Sequence, residues 1–395
     1  MILFSRYEIT CTFHFFYQDA HQDINFVKSN LRTSFHPSYW VVKSMVPGSK
    51  VRWIDGEEKE QSLDVDNQIL SSVRPTTPIS SPAQDSPVQA ELRAELKSSG
   101  LRMCYQSRRD GNSELYVMDA DGSNMVNITR TASVDEIYPH VSKDGKRVCF
   151  TVVRVEELSV RQTVPRFDVY WMNLNGSSRT LMASDATDPC WDPAGNRIAF
   201  VKRLGSEKTK DYHNIGLFVY DIYTRKTVEL TNGKLYHAYV PCWSQAGDWI
   251  VATVHKYAGF DHAIIAIDLR NTQIHCLKES GVDGCRPDLS WDGRRICWNP
   301  NDVQIGVTRF NPTSSDKLTL RAVAQAPLPH GSVYFGDWSP DGKYIAYAMN
   351  PDFRESDPRR GAPWDIFVTR AKGAPYVQLT FDQANNKHPE FFLST

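Results

Sequence analysis

Four histidines are the residues of this chain that could do metal chemistry: His237, His255, His262 and His388. Neutral imidazoles that converge on one point can hold a divalent transition metal. The four are scattered along the sequence and lack the short His-x-x-x-His spacing that places two ligands on one element. Only a fold that brings distant segments together would place the four side chains around one point. We therefore expect no cofactor, or a divalent metal ion if these histidines meet.

A second set of candidate residues precedes the first strand of each sequence repeat described below. It mixes acids, bases and aromatic side chains, as suits a polar or carbohydrate ligand or an inserted peptide segment of a protein partner. The set consists of Glu136, Tyr138, Asp188, His237, Tyr239, Arg286, Tyr334, Lys387 and His388. Ordinary polar side chains around a water-filled opening are the simpler interpretation, and the sequence leaves both open.

The cysteines follow the phase of the same repeats. Cys104, Cys149 and Cys297 fall in equivalent second strands, and Cys190 and Cys242 share a position in the first strand. Cysteines in repeat phase usually fill core positions as small apolar side chains. No Cys-x-x-Cys pair occurs, which excludes a zinc ribbon or a thioredoxin-like motif. We therefore expect free thiols.

All of these residues are positioned by a pattern that recurs five times. Its turn glycines are Gly145, Gly195, Gly247, Gly293 and Gly342, so the steps are 50, 52, 46 and 49 residues. This period is typical of propeller blades and of long solenoid repeats. Each copy contains two alternating apolar stretches joined by a tight turn, and two further strand segments follow it. The pattern predicts four strands per repeat.

The two ends of the repeat region predict a closed ring. Residues 101–106 resemble a second strand without its first strand, and residues 388–392 resemble a first strand without its second. Unpaired sheet edges promote aggregation, and pairing these two segments would complete a sixth blade. We therefore predict an all-β fold, a six-bladed β-propeller of four-stranded blades over residues 101–395, closed by pairing the C-terminal strand with the first propeller strand.

One aromatic position in each repeat predicts how the blades pack. Trp191, Trp243 and Trp338 recur two residues after the Pro or Gly that opens a repeat, and Val141, Leu289 and Phe391 replace them in the other copies. A large apolar side chain at a fixed phase is what packing between adjacent blades requires. We expect these residues to lie between blades and not to form a ligand platform.

The segment DWSPDGKYIAY, which begins at Asp337, resembles the repeat of the TolB-type propellers, a WD-like family. The resemblance extends over the propeller region, although Val141 and Leu289 replace the tryptophan and Gln245-Ala246 replaces Pro-Asp. It implies the propeller fold and a role in protein binding or as an envelope scaffold, because TolB-like propellers are mostly modules of this kind. It also implies export, since such relatives are usually periplasmic in bacteria.

Two groups of enzymes carry similar propellers. Prolyl-oligopeptidase-type enzymes add an α/β-hydrolase domain, but this chain has no Gly-x-Ser-x-Gly motif, so peptidase activity is not expected. Propeller lyases that act on uronate oligosaccharides resemble this chain in their histidine cluster and metal, although they have seven blades. We expect a non-enzymatic scaffold that binds a protein or ligand through its loop-rich face and channel mouth. An oligouronide lyase-like metalloenzyme is the alternative.

The first hundred residues have no propeller phase. Residues 1–70 form an extension of uncertain fold, in which 39–42 and 50–54 flank Pro47-Gly48 and could form a hairpin. Residues 71–100 contain a Pro- and Ser-rich linker and a predicted short helix over 88–99.

Composition limits the possible partners. The chain has 45 Lys and Arg against 46 Asp and Glu, so no basic excess is present to attract nucleic acid. The early apolar run at residues 12–17 is short and contains His14, and it predicts neither a secretory signal nor a membrane span. The resemblance implies a periplasmic or exported protein, whereas the absence of a visible signal leaves a cytoplasmic location open.

Overall fold

The computed structural model describes residues 50–54, 60–64, 84–159, 162–203, 214–231, 235, 237–255, 262–314, 316–352 and 364–393. The chain divides into two compact units, Met1–Ser81 and Pro82–Thr395. In the first unit, β1 (Lys50–Ile54) pairs antiparallel with β2 (Glu60–Asp64), and Val51 faces Leu63 in the register. The predicted hairpin partner, residues 39–42, lies outside the described residues, as does most of the predicted linker.

The first helix of the second unit is α1 (Pro87–Ser98), where the sequence predicts a short helix over 88–99. Its start follows from local chemistry, because Pro87 occupies the first helical turn and the backbone N–H of Ser86 donates to Gln89 Oε1 at 3.1 Å. Leu92 and Leu96 are buried in a cluster with side chains of the two neighbouring blades. The helix is therefore part of the propeller domain.

The rest of the second unit is six four-stranded antiparallel sheets. Blade 1 contains β26 (Lys387–Leu393), β3 (Leu101–Ser107), β4 (Glu114–Asp119) and β5 (Val126–Asn127). Blade 2 contains β6 (Asp135–Val141), β7 (Arg147–Ser159), β8 (Gln162–Asn173) and β9 (Thr180–Ser184). Blade 3 contains β10 (Ala186–Trp191), β11 (Arg197–Arg203), β12 (Asn214–Asp221) and β13 (Thr227–Glu229).

The remaining three blades repeat this order. Blade 4 contains β14 (Tyr239–Trp243), β15 (Trp249–Val254), β16 (Ala263–Asp268) and β17 (Ile274–Cys276). Blade 5 contains β18 (Cys285–Leu289), β19 (Arg295–Asn301), β20 (Gln304–Arg309) and β21 (Arg321–Gln325). Blade 6 contains β22 (Ser332–Trp338), β23 (Tyr344–Asn350), β24 (Asp365–Arg370) and β25 (Tyr376–Gln378).

The predicted closure of the ring is confirmed. Strand β26 pairs antiparallel with β3, and Phe391 lies opposite Met103 in the register. The first strands of the six blades also contact one another in a closed order, β6, β10, β14, β18, β22, β26 and β6 again. These strands therefore surround the central channel.

The aromatic position of each repeat lies between blades, as predicted. Trp243 of blade 4 packs in a cluster with Ala199 and Leu217 of blade 3. Trp338 of blade 6 packs in the same way with Cys297 and Ile305 of blade 5. Burial of these side chains against the preceding blade removes apolar surface from water and joins the sheets.

Every first strand contains a β-bulge. In each blade the residue before the Pro or Gly that opens the repeat has a left-handed backbone, and the ladder register shifts there. The φ values are 55° at Tyr138, 51° at Asp188, 49° at Val240, 52° at Arg286, 61° at Phe335 and 50° at His388. The bulge directs side chains on both sides of it to positions that a regular strand would not give.

Candidate functional site

The residues at the bulges form an arc of aromatic and basic side chains, which we call the channel mouth. Arg286 Cζ lies 4.3 Å from the ring centroid of Tyr334, 5.2 Å from that of Phe335 and 5.9 Å from that of Tyr239. The ring of His388 then contacts Phe335 at 3.6 Å between centroids and Tyr138 at 4.5 Å. Contacts thus run from blade 4 through blades 5, 6 and 1 to blade 2.

Hydrogen bonds to side chains of the preceding blade fix the backbone at three of these bulges. The backbone N–H of Tyr138 donates to Gln106 Oε1 at 3.0 Å. The N–H of Asp188 donates to Thr151 Oγ1 at 3.2 Å, and that of Arg286 donates to Thr253 Oγ1 at 2.8 Å. Each acceptor lies on a second strand. The mouth is therefore built on rigid strands, which preorganises its side chains.

The basic side chains of the mouth influence one another. Lys387 Nζ lies 4.9 Å from the ring centroid of Trp364. Burial, together with the charges of Arg286 and Arg108, lowers the pKa of Lys387 to about 7. Burial, with the charges of Lys387 and Arg286, also holds the pKa of His388 well below its usual value. An anion at the mouth would relieve this repulsion.

Three of the four predicted metal-binding histidines lie together. The ring centroid of His255 lies 4.9 Å from that of His237 and 4.5 Å from that of His262. Tyr239 Oη is 2.9 Å from His262 Nε2. The ring contacts of His388 are instead with Phe335 and Tyr138. Within the described ranges, no group of three or more His, Cys, Asp or Glu side chains is arranged to hold a metal ion.

Glu136 was predicted at the mouth but lies in the interior. Its side chain is fully buried, Arg179 Nη2 is 2.8 Å from Oε1, and the hydroxyl of Thr131 donates to the same oxygen at 2.6 Å. Its backbone N–H donates to Ser113 O of blade 1 at 2.7 Å. Glu136 therefore links blades 1 and 2. The repeat phase predicts its strand position but not that a neighbouring loop covers it.

Sequence reasoning missed a second group, one residue per blade, which we call the neck ring. Each member follows the Pro or Gly after the bulge residue: His140, Cys190, Cys242, Asp288, Asp337 and Glu390. His140 Nε2 lies 3.1 Å from Cys190 Sγ and 3.8 Å from Glu390 Oε2. Cys242 Sγ donates to Asp288 Oδ1 at 3.0 Å. The sequence does contain a signal for this group, because every copy of the repeat has a polar side chain or a thiol at this one position.

The neck ring also joins the blades. A ring member accepts a hydrogen bond from a backbone N–H of the next blade. The donor is the residue directly after that blade's own ring member. These bonds are Trp191 N to His140 Nδ1 at 3.2 Å, Leu289 N to Cys242 Sγ at 3.4 Å, Trp338 N to Asp288 Oδ2 at 2.9 Å and Phe391 N to Asp337 Oδ2 at 2.7 Å. This bonding requires an acceptor at the position, which accounts for its residue types.

The carboxyl groups of the neck ring are harder to ionise than ordinary ones. Burial raises the pKa of Asp288 to about 6. Burial and the neighbouring Asp288 raise the pKa of Asp337 well above its usual value. Burial, together with Asp337 and Asp288, does the same for Glu390. Like charges that share one narrow channel cannot all ionise at neutral pH.

The fold is that of a six-bladed β-propeller similar to TolB, and the predicted resemblance is confirmed at the level of fold. TolB from Acinetobacter baumannii has a similar structure, with a TM-score of 0.56 at 16% identity over 88% of this chain and 83% of that one. A protein described as TolB from Agrobacterium tumefaciens has a TM-score of 0.50 at 15% identity, covering 75% of this chain and 98% of that one.

Sequence comparison supports the same class over a shorter segment. A curated TolB homolog of Chlorobaculum tepidum is 27% identical over 118 residues, which are 29% of this chain and only 24% of that protein's length. No family model matches the chain. A manganese complex of oligogalacturonate lyase has a TM-score of 0.41, and this similarity supports no functional conclusion. None of the helices in the described ranges is both long and apolar enough to span a membrane.

Proposed function

We propose that this chain is a non-enzymatic binding module whose channel mouth takes an acidic peptide segment of a protein partner. The proposal rests on the guanidinium of Arg286, which lies against the rings of Tyr334, Phe335 and Tyr239. The aromatic faces and the hydrogen bond from Arg286 Nη1 to Cys285 Sγ, at 2.9 Å, fix the orientation of this guanidinium, whose positive charge attracts a carboxylate. The resemblance to TolB-type propellers favours a protein as the source of that carboxylate.

The electrostatics of the mouth support an anionic ligand. Burial is the main cause of the lowered pKa of Lys387, about 7, and repulsion by the charges of Arg286 and Arg108 adds to it. A bound carboxylate would stabilise the charged form of Lys387 and raise its pKa. Binding would then take up a proton, so affinity should be highest below about pH 7, where carboxylates are still ionised. It should fall as the pH rises through the pKa values of free and bound Lys387.

Direct binding of synthetic peptides tests the proposal. Two pools of short fluorescent peptides would be compared by anisotropy, one with Asp and Glu at random positions and one with Asn and Gln at the same positions. We expect only the acidic pool to bind. Arg286→Gln should weaken its binding roughly tenfold or more, since a buried hydrogen bond to a charged group contributes about 1.5–3 kcal/mol.

Arg294→Gln is the matched control. Arg294 is exposed in the turn between β18 and β19 of blade 5, where its backbone N–H donates to Asp292 Oδ1. This variant should leave both binding and melting temperature unchanged. Equal binding of the two pools, or an Arg286→Gln variant that melts and binds like the wild type, would contradict the proposal.

The metalloenzyme alternative has less support. It rests on the mutual contacts of His237, His255 and His262 beside the mouth. The part of the chain that the structure describes contains no ligand group arranged around a metal position. The fourth histidine, His388, lies against other rings. The packed imidazoles therefore support a wall of the binding mouth better than a metal centre.

A further inference from the structure

The sulfur of Cys190 occupies an unusual place in the neck ring. His140 Nε2 lies 3.1 Å from it, and the backbone N–H of Trp243 also donates to it. The backbone N–H of Trp191 donates to His140 Nδ1 at 3.2 Å, so that nitrogen carries no proton. In the neutral ring the proton is therefore on Nε2 and points to Cys190. Two donors thus face one sulfur atom.

We propose that Cys190 and Cys242 form a redox-active pair, which a hydroperoxide converts into a disulfide between blades 3 and 4. The two strands that carry them are in direct contact, because the indole N–H of Trp243 donates to Cys190 O at 3.2 Å. The structure assigns the role of attacking thiolate to Cys190 and the role of resolving thiol to Cys242.

The reaction balances with the groups present and one hydroperoxide. The Cys190 thiolate attacks the peroxide oxygen, the O–O bond breaks, and the leaving alkoxide takes a proton to become an alcohol, or water from hydrogen peroxide. Cys190 is then a sulfenic acid. The sulfur of Cys242 attacks that of Cys190, its proton passes to Asp288, which lies 3.0 Å away, and hydroxide leaves as water with that proton. The two thiols are oxidised and the peroxide is reduced.

The acidity of Cys190 is consistent with this assignment. Burial alone would raise the pKa of Cys190, but the neighbouring Cys242 and His140 side chains lower it to about 5. The other buried cysteines behave in the opposite way. The thiols of Cys149 and Cys297 donate to backbone carbonyl groups at 3.5 Å, and burial raises the pKa of both. Cys190 Sγ also lies 3.7 Å from Trp191 O, so the imidazole of His140, and not the contact with a carbonyl group, distinguishes Cys190 from Cys149 and Cys297.

Access to the pair selects for small oxidants. Cys190 is 1% exposed and Cys242 is 7% exposed, so bulky reagents cannot reach either sulfur. The adjacent side chains of His140 and Glu390 are 23% and 21% exposed. The neck therefore has solvent contact beside the thiols, which suits a molecule of the size of hydrogen peroxide.

Peptide mapping of the full wild-type chain tests the pair. The protein would be treated with hydrogen peroxide, unfolded, alkylated and digested without reduction. We expect one linked peptide that joins Cys190 to Cys242 and two hydrogens lost from the intact mass. Cys149 and Cys297 should carry the alkyl group. A wild-type chain in which Cys190 remains free, is oxidised beyond sulfenic acid without a link, or pairs elsewhere would overturn the proposal.

The pH dependence of the oxidation rate separates a stabilised thiolate from an ordinary thiol. We expect a rate that is nearly constant from pH 6 to pH 8 and falls to half near pH 5, where Cys190 becomes protonated. An unperturbed thiol would instead react about tenfold faster for each pH unit up to its pKa near 8.5. That steeper profile would contradict the role of Cys190.

Three variants assign the roles. Cys242→Ser should leave Cys190 at the sulfenic acid, trapped by a 1,3-dione reagent that is present while the oxidised protein is unfolded. Cys149→Ser is the matched control and should still form the link. His140→Asn keeps an acceptor for Trp191 N–H but removes the donor at Cys190, so the pH midpoint should rise and the rate at pH 6 should fall roughly tenfold. An unchanged profile in a folded His140→Asn variant would contradict this positioning role.

Discussion

Trp243 and Trp338 occupy the same repeat position but differ in one hydrogen bond. The indole N–H of Trp243 donates to Cys190 O at 3.2 Å. The indole N–H of Trp338 is buried and has no acceptor in the part of the chain that is described. Each ring is covered by an arginine at a similar distance, Arg197 at 4.8 Å and Arg295 at 4.3 Å. The pair thus isolates the contribution of a single N–H group.

Replacement of each tryptophan by phenylalanine should have unequal costs. Trp243→Phe leaves Cys190 O without its donor, whereas Trp338→Phe removes an N–H that is already unsatisfied. Both variants lose similar ring volume. We expect Trp243→Phe to lower the free energy of unfolding by about 1–3 kcal/mol more than Trp338→Phe, measured by urea denaturation. Equal losses in the two variants would show that the N–H to Cys190 contributes nothing to stability.

At the scale of the element, the hairpin turns resemble one another locally but not in their surroundings. Gly145 and Gly247 end equivalent turns with φ of 67° and 72°, where a side chain is strained in either case. A Cβ on Gly145 would lie 2.4 Å from Leu393 O, at the end of the ring-closing strand β26. A Cβ on Gly247 would meet nothing closer than 3.9 Å.

Replacement of each of these two glycines by alanine should therefore separate the cost of the left-handed backbone from the cost of a steric clash. Both variants pay about 1–2 kcal/mol for the left-handed backbone. Gly145→Ala must also displace backbone of β26, so we expect it to be less stable than Gly247→Ala by at least about 1 kcal/mol. Thermal and urea unfolding followed by circular dichroism would measure this difference. If Gly247→Ala proved equally destabilised, the contact between this turn and β26 would not constrain the fold.

At the scale of the whole molecule, the second unit depends on both of its ends. Strand β26 supplies the innermost strand of blade 1, the mouth residues Lys387 and His388, and Glu390 of the neck ring. It also buries Phe391 and Phe392, which are 3% and 1% exposed. Loss of such a side chain costs about 3–5 kcal/mol, and a whole domain is stable by about 5–15 kcal/mol.

Deletion of residues 387–395 should therefore abolish cooperative unfolding and cause aggregation through the exposed edge of β3. Deletion of residues 1–81 is the control, because Pro82–Thr395 is a compact unit by itself. We expect that shorter chain to keep the melting temperature of the full chain. Size-exclusion chromatography and circular dichroism would compare the three proteins. A monomeric, cooperatively melting chain without β26 would contradict the importance of closure.

The propeller was predictable because its causes are local and repeated. Alternating apolar residues predict strands, the turn glycines mark hairpins at a constant period, and the orphan segments at residues 101–106 and 388–392 predict the closing pair. The aromatic position of each repeat likewise predicts packing between blades. None of these inferences needs a distance between remote residues.

The contacts among the site residues depend on closure of the ring. The structure brings Tyr239, Arg286 and Tyr334 into contact, because corresponding parts of the first strands meet around a common axis. Repeat phase does not show that Glu136 is covered by blade 1, or that the bulge brings His140 within 3.1 Å of Cys190, fifty residues away. Contacts between blades depend on the radius of the ring and on the local twist of each bulge. Those quantities are properties of all six sheets together, so they exist only in the folded molecule.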